Sequence, residues 1–222
     1  GDAGIALIEM GDPICSAADL FSMEDYTIVA MTEGALFHQL LERFARDLHT
    51  RTEILAQALP GRLWRICGSE YASEPYLPPH LYGEYVGGYT GPMVEAVQKH
   101  GGFARIHSHG RLRNIMPHIQ AMGPAGLDPC EPTPQGDMEL SELRRDYGAD
   151  MVLFGNLEAS DLEGLPTGEF EQKIRAALEQ GTAGEGRGFV LMPSSCPYGR
   201  VIPDHVLANY EAMVRLAEGW GG

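Results

Sequence analysis

Two histidines two residues apart carry the clearest chemical signal in this sequence. They lie in the run GFARIHSHG at residues 102–110, where apolar residues predict a short buried strand that stops near Gly110. Side chains at positions i and i+2 of a strand share one face, so His107 and His109 can direct both rings at one atom. This arrangement suits a metal ion, although one ring could instead lie in the core and the other at the surface.

Polar residues that could join the histidines follow the other predicted strands. In a barrel of parallel strands the catalytic groups lie on the loops after the strands, so we compared what each strand end offers. In chain order these residues are Asp12; Glu70, Tyr71 and Glu74; His107 and His109; Glu131; Asn156; and Cys196. Two imidazoles, a thiolate and a carboxylate form a ligand set typical of zinc, so we predict a zinc site at His107, His109, Cys196 and Glu131. Cys196 could alternatively be an inert thiol.

The elements that must position these groups alternate between strand and helix patterns. Strands are predicted at 4–10, 63–67, 103–107, 126–130, 151–154 and 189–192. Helices are predicted at 17–21, 25–31, 33–59, 80–100, 112–122, 138–147, 169–180 and 204–218, the longest with Thr32 as its N-cap. Strands that are each followed by a helix must pair in parallel, which predicts an α/β fold.

Either a doubly wound sheet or a TIM-type (β/α)8 barrel could result from this succession. A barrel needs eight units and about 250 residues, whereas six units are recognisable in the 222 residues that begin at Gly1. We therefore predict one domain over residues 1–222 that is the C-terminal part of a longer barrel, without its N-terminal strands, or a barrel completed by something else. An open sheet would have two bare edges, which favours pairing, so a homo-oligomer is one expectation.

Composition excludes several classes of partner. The formal net charge is -15, and only Lys99 and Lys173 are lysines among 16 basic residues, so nucleic acid and anionic membranes are poor partners. The cysteines are scattered, which indicates a reducing, cytoplasmic setting; they are Cys15, Cys67, Cys130 and Cys196. No apolar run approaches the length of a membrane span, and no signal peptide is recognisable, so we expect a soluble protein.

Three segments together resemble the uroporphyrinogen decarboxylase superfamily. They are FARIHSHG at 103–110, GADMVLFGNL at 148–157 and GFVLMPSSC at 188–196, and the PDHV start of the last helix at 203–206 also fits. Within the superfamily the chain is most similar to the cobalamin-linked methyltransferase branch, and the likeness is strongest from about residue 80 to the end. That branch implies zinc bound by a His-x-Cys pair and a later Cys, so His107 and Cys196 match while His109 replaces a cysteine.

This resemblance implies methyl transfer between a corrinoid carrier protein, which holds methylcobalamin, and a small thiol or pterin. In this branch, zinc binds the thiol acceptor and lowers its pKa. With two imidazoles and one thiolate as ligands, instead of one imidazole and two thiolates, the zinc site is more positive and the sulfur bound to it is less nucleophilic. The acceptor of this protein could therefore be a different group. We assign catalytic roles to Glu70 and Asn156. Tyr71, Arg111 and Arg113 are assigned to substrate binding, the arginines as clamps for an anionic group, although both could be merely solvated charges.

Three alternative functions remain open. The decarboxylase branch of the superfamily, a carboxy-lyase without metal, ranks lower because it binds its tetrapyrrole near the start of the barrel, which this chain lacks. Metal-assisted hydrolysis of the amidohydrolase kind also uses His-x-His, but after the first strand of a barrel, whereas only three predicted strands follow His109. A non-catalytic relative that binds a metal or a tetrapyrrole-like ligand is the remaining alternative.

Overall fold

The computed structural model describes residues 4–197 and 199–221. The chain divides into two compact units, with the boundary between Leu127 and Asp128. The expected single domain over residues 1–222 stays a prediction.

Three parallel strands form the centre of the first unit. They are β1 (Leu7–Gly11), β2 (Leu63–Cys67) and β3 (Phe103–His107), and β2 pairs with both neighbours. Helices α1 (Pro13–Ala18), α2 (Met23–Thr32) and α3 (Gly34–Ala58) separate β1 from β2. A 3-10 turn (Ser69–Ala72), α4 (Pro79–Leu81), a π-helical segment (Tyr82–Gly87) and α5 (Gly91–Lys99) separate β2 from β3, and α6 (Met116–Met122) follows β3.

Strand alternation gives the sheet of the first unit two different faces. One face is apolar and buried in the core, and its members include Trp64, Ile66, Ala104 and Ile106. The opposite face carries charge, because the register places Glu9 beside Arg65 and Arg65 beside Arg105. At the next level of this charged face, toward the C-terminal strand ends, are Gly11, Cys67 and His107. The register therefore brings ionisable side chains of different strands to one side of the sheet.

The second unit contains a parallel pair of strands, β5 (Val152–Leu157) and β6 (Phe189–Pro193). Strand β4 (Gly126–Cys130) lies across the boundary between the units. The helices of this unit are α7 (Leu140–Tyr147), α8 (Ala159–Gly164), α9 (Thr167–Gly181) and α10 (Asp204–Glu218). A Cβ at Gly181 would lie 2.4 Å from the Phe189 ring, so this glycine allows α9 to pack closely on β6.

The α/β class is confirmed: the strands pair in parallel and alternate with helices, as in part of a TIM barrel. Several helix bounds differ from the prediction. The first helix begins at Pro13 because Asp12 caps it and proline is favoured in the first turn. Thr32 does not cap α3; it ends α2, and its hydroxyl donates to the Ile28 carbonyl at 2.8 Å. No helix in the described part of the chain is long and apolar enough to cross a bilayer.

Two further helix predictions need correction. The predicted helix at 80–100 is π-helical over Tyr82–Gly87 and is interrupted by a turn at Thr90, directly before α5. The helix predicted from residue 112 begins at Met116, so the preceding residues form a loop. The short helix α8 was not predicted, because its six residues are too few for a helical period to be recognised.

Candidate functional site

The C-terminal strand ends of the first unit bring several polar groups together. Asp12 follows β1, the Ser69–Ala72 turn follows β2, and β3 ends at His107. The backbone N–H of Asp12 donates to the Cys67 carbonyl at 2.9 Å, which continues the β1 to β2 pairing past the strand. We call this edge of the first unit the strand-end site, defined by Asp12, Ser69–Ala72 and 107–109.

The two histidines lie side by side at this site. His107 is buried, with 5% of its surface exposed, and His109 is half-buried. Their ring centroids are 4.5 Å apart and the ring planes are almost perpendicular, at 88°. The buried Ser69 hydroxyl donates to the His107 carbonyl at 3.1 Å and fixes the end of β3 against the turn after β2.

Arg65 is the immediate partner of His107 and was missed from the sequence. Its Nη2 lies 2.8 Å from Nε2 of His107, and its Nη1 lies 2.9 Å from a carboxylate oxygen of Glu9. A signal was present, because an arginine two residues before Cys67 and another two residues before His107 interrupt otherwise apolar strands. Alternation would have put both arginines on the histidine face.

Asp12 is fully buried at the end of β1, and its carboxylate accepts a hydrogen bond on each oxygen. The Cys15 N–H donates to Oδ1 at 2.8 Å, and the Thr90 hydroxyl donates to Oδ2 at 3.0 Å. Burial raises the pKa of Asp12 from 3.8 to about 7, and the nearby Glu70 carboxylate raises it further against the lowering effect of the hydrogen bonds. Burial likewise raises the pKa of Cys15 to about 12 and that of Cys67 to about 11.

Glu70 and Tyr71, predicted for catalysis and substrate binding, lie in the turn after β2. The Gly68 N–H donates to a carboxylate oxygen of Glu70 at 3.2 Å. The Tyr71 carbonyl accepts a hydrogen bond from the Tyr26 hydroxyl at 3.1 Å, and the Tyr71 ring meets the Tyr26 ring edge-on at 6.4 Å between centroids. Desolvation raises the pKa of Tyr71. Both side chains are half-buried, so both are within reach of a molecule at this site.

Arg111 and Arg113 lie in the loop between β3 and α6. Both are exposed, and the loop continues to Ile115, so neither arginine begins a helix as was expected. The helix starts late because Pro117 lacks an N–H and would break a helix interior, whereas it is tolerated in the first turn of a helix that begins at Met116. In the sequence, Arg111 and Arg113 come two and four positions after His109.

The remaining predicted site residues belong to the second unit. Glu131 is buried directly after β4, and Cys196 is exposed after β6. Asn156 was predicted to follow the fifth strand but lies half-buried within it, because β5 continues to Leu157. Glu158 was not predicted; burial raises its pKa, and the Glu131 carboxylate raises it further. The Ser194 hydroxyl oxygen accepts the Ala159 N–H at 3.1 Å, which links the end of β6 to α8.

The predicted zinc ligands are divided between the units, with both histidines in the first and Glu131 and Cys196 in the second. Within either unit, the described part of the chain holds no group of three or more His, Cys, Asp or Glu side chains in metal-binding geometry. The surroundings of His107 do not fit a zinc ion at Nε2, because the Arg65 guanidinium occupies that lone pair and adds positive charge. The four-ligand set therefore stays a prediction.

Two comparisons with known proteins bear on this chain. A family model described as uroporphyrinogen decarboxylase (URO-D) matches residues 8–220. The comparison with curated proteins gave no match.

Proposed function

The chain belongs to the uroporphyrinogen decarboxylase family, a family of enzymes, and from this premise we propose that it is a methyltransferase. The proposed reaction moves a methyl group between the cobalamin of a corrinoid carrier protein and a small thiol or pterin. The observation that carries the proposal is the pair of adjacent imidazoles at the end of β3, with centroids 4.5 Å apart, within the motif that resembles the methyltransferase branch.

The residues of the strand-end site have roles in this proposal that need no bound metal. Glu70, a half-buried carboxylate beside a backbone N–H, would move the proton of the thiol or pterin acceptor. Tyr71 would contact the body of the acceptor, and Arg111 and Arg113 would bind an anionic group on it through paired N–H donors. Asn156 of the second unit is proposed as a further polar catalytic group.

Zinc at His107, His109, Cys196 and Glu131 or water is part of the proposal for the loaded enzyme. When bound, such an ion would hold the acceptor and lower the pKa of its thiol. The Arg65 contact with His107 does not fit this ion, so we derive no step through it. Metal content of the purified protein, measured by mass spectrometry, tests the ion directly.

Methyl transfer can be tested with free methylcobalamin and a small thiol as probes. We expect consumption of methylcobalamin in visible absorbance and a thioether product in mass spectrometry. If the proposed zinc ion takes part, His109→Ala and Cys196→Ser should each abolish transfer while circular dichroism stays unchanged. His100→Ala is the matched control, because His100 precedes β3 at the end of the strand opposite His107, and this variant should retain full activity. No transfer by the wild type, with free cobalamin or with any corrinoid protein supplied, would contradict the proposal.

A second candidate is a metal-free carboxy-lyase, and one observation favours it. Because Arg65 already occupies Nε2 of His107, the ring can serve as a proton donor from its other nitrogen without any ion. This candidate predicts release of CO2 from uroporphyrinogen, unaffected by chelators, with decarboxylated porphyrins detected by chromatography after oxidation. Chelator-sensitive methyl transfer without CO2 release would exclude it.

A further inference from the structure

We propose that Arg65 is a positioning residue that fixes the proton of His107 on Nδ1 and competes with metal ions for Nε2. The metal part rests on the proposed function, because it concerns the ligand set assigned there. The tautomer part depends only on the geometry of the first unit.

The donor and acceptor roles of this contact follow from the chemistry of the two side chains. A guanidinium carries only N–H donors, so Nε2 of His107, 2.8 Å from Nη2 of Arg65, must be the acceptor. A neutral imidazole has one acceptor and one donor nitrogen, so the proton lies on Nδ1. Nε2 thus offers no lone pair to a metal while Arg65 stays in place.

Neighbouring groups hold both members of the contact. Glu9 pairs with Arg65 in the strand register and binds its Nη1 at 2.9 Å, which aims the guanidinium along the charged face. The Ser69 hydroxyl holds the His107 backbone. The register also places Arg65 beside Arg105, a like-charge pair that destabilises a sheet and that the opposite charge of Glu9 on the other neighbouring strand offsets.

The contact can also open. The Glu9 side chain is 59% exposed, so its ion pair with Arg65 is worth little and its loss is no large barrier. A metal ion that binds Nε2 would have to displace the guanidinium. Once the guanidinium has moved away, its positive charge no longer repels the ion, so the ion binds more tightly. Arg65 therefore weakens metal binding at His107 and favours a ring that donates from Nδ1.

Nitrogen-15 NMR of the imidazole ring distinguishes the tautomers in the full, metal-free chain. At pH 8 we expect His107 as the Nδ1–H form in the wild type and a shift toward Nε2–H in Arg65→Leu. Arg65→Gln keeps a donor without the charge and should retain Nδ1–H. Arg43→Leu is the matched control, since Arg43 pairs on the exposed surface of α3 with Asp47. Two results would overturn the assignment: a wild-type His107 in the Nε2–H form, or an Arg65→Leu spectrum identical to the wild-type spectrum.

Zinc titration by calorimetry tests the competition. Removing Arg65 in the Leu variant should tighten zinc binding by about tenfold, the usual scale for partners that orient a ligand, and the added change His107→Ala should cancel the gain. Equal zinc affinities in wild type, Arg65→Leu and Arg65→Gln, or no zinc binding by any of them, would refute the competition. A failed methyl-transfer assay with the expected NMR result would reject the proposed function and leave the tautomer assignment standing.

Discussion

Replacing Asp12 with asparagine should remove a pH dependence of stability that originates at the end of β1. The buried carboxyl has its pKa raised from 3.8 to about 7, mainly by desolvation. A raised folded-state pKa means that the folded protein holds this proton more tightly than the unfolded chain. Its stabilising contribution is complete below pH 3.8 and is lost as the pH rises to 7. At about 1.4 kcal/mol per pH unit, the loss is roughly 4 kcal/mol.

The asparagine variant keeps the hydrogen bonds but not the ionisation. Its side-chain oxygen can accept the Cys15 N–H, and the Thr90 hydroxyl can turn to accept from the new amide. Urea unfolding followed by fluorescence in a Trp220→Phe background reports on this unit, because Trp64, fully buried in β2, is then the single tryptophan of the sequence. From pH 5 to pH 8 the free energy of unfolding of Asp12→Asn should rise relative to wild type by roughly 3 kcal/mol.

Other ionisable groups cancel in this difference, since both proteins contain them. Asp12→Ala is the control for capping: it should also lose the pH dependence, and at every pH it should be about 1 kcal/mol less stable than Asp12→Asn because the N-cap is missing. A constant difference between Asp12→Asn and wild type over this range, or one that changes in favour of the wild type, would refute the assignment of the perturbed group to Asp12.

Three further predictions concern single positions. Gly68→Ala should destabilise the fold by roughly 3 kcal/mol or more, because φ is 119° and the new Cβ would lie 2.3 Å from the Cys15 Cβ. Gly61→Ala is the matched control: φ is 71° and the space around it is open, so it should cost only about 1 kcal/mol. Equal losses of unfolding free energy in urea would contradict this prediction. Arg111→Ala and Arg113→Ala should raise the KM for an anionic acceptor more than they lower kcat, and unchanged steady-state constants would leave both as solvated charges. Cys196, whose thiol is exposed, should be the first cysteine alkylated at pH 8, as peptide mass spectrometry can check.

Local patterns in the sequence determined the strands and their alternation with helices. Short segments with apolar residues that end at glycine, proline or a polar cluster identify β2, β3 and β4, whose observed bounds equal the predicted ones. These signals are readable because burial of a strand and the special backbone of glycine depend on neighbours in the chain. The spacing of two residues also predicted that His107 and His109 lie close together, and their ring centroids are 4.5 Å apart, although β3 ends at His107 and His109 lies beyond the strand.

Only the tertiary structure decided which partner each of these side chains meets. Arg65 is 42 residues from His107 in the chain, and Thr90 is 78 residues from Asp12, yet each pair is joined by a hydrogen bond. Alternation assigns a residue to a face, but the register between strands determines which side chains on that face lie at one level. The burial that raises the pKa of Asp12 likewise comes from elements distant in sequence, because desolvation is produced by packing and not by the order of neighbouring residues.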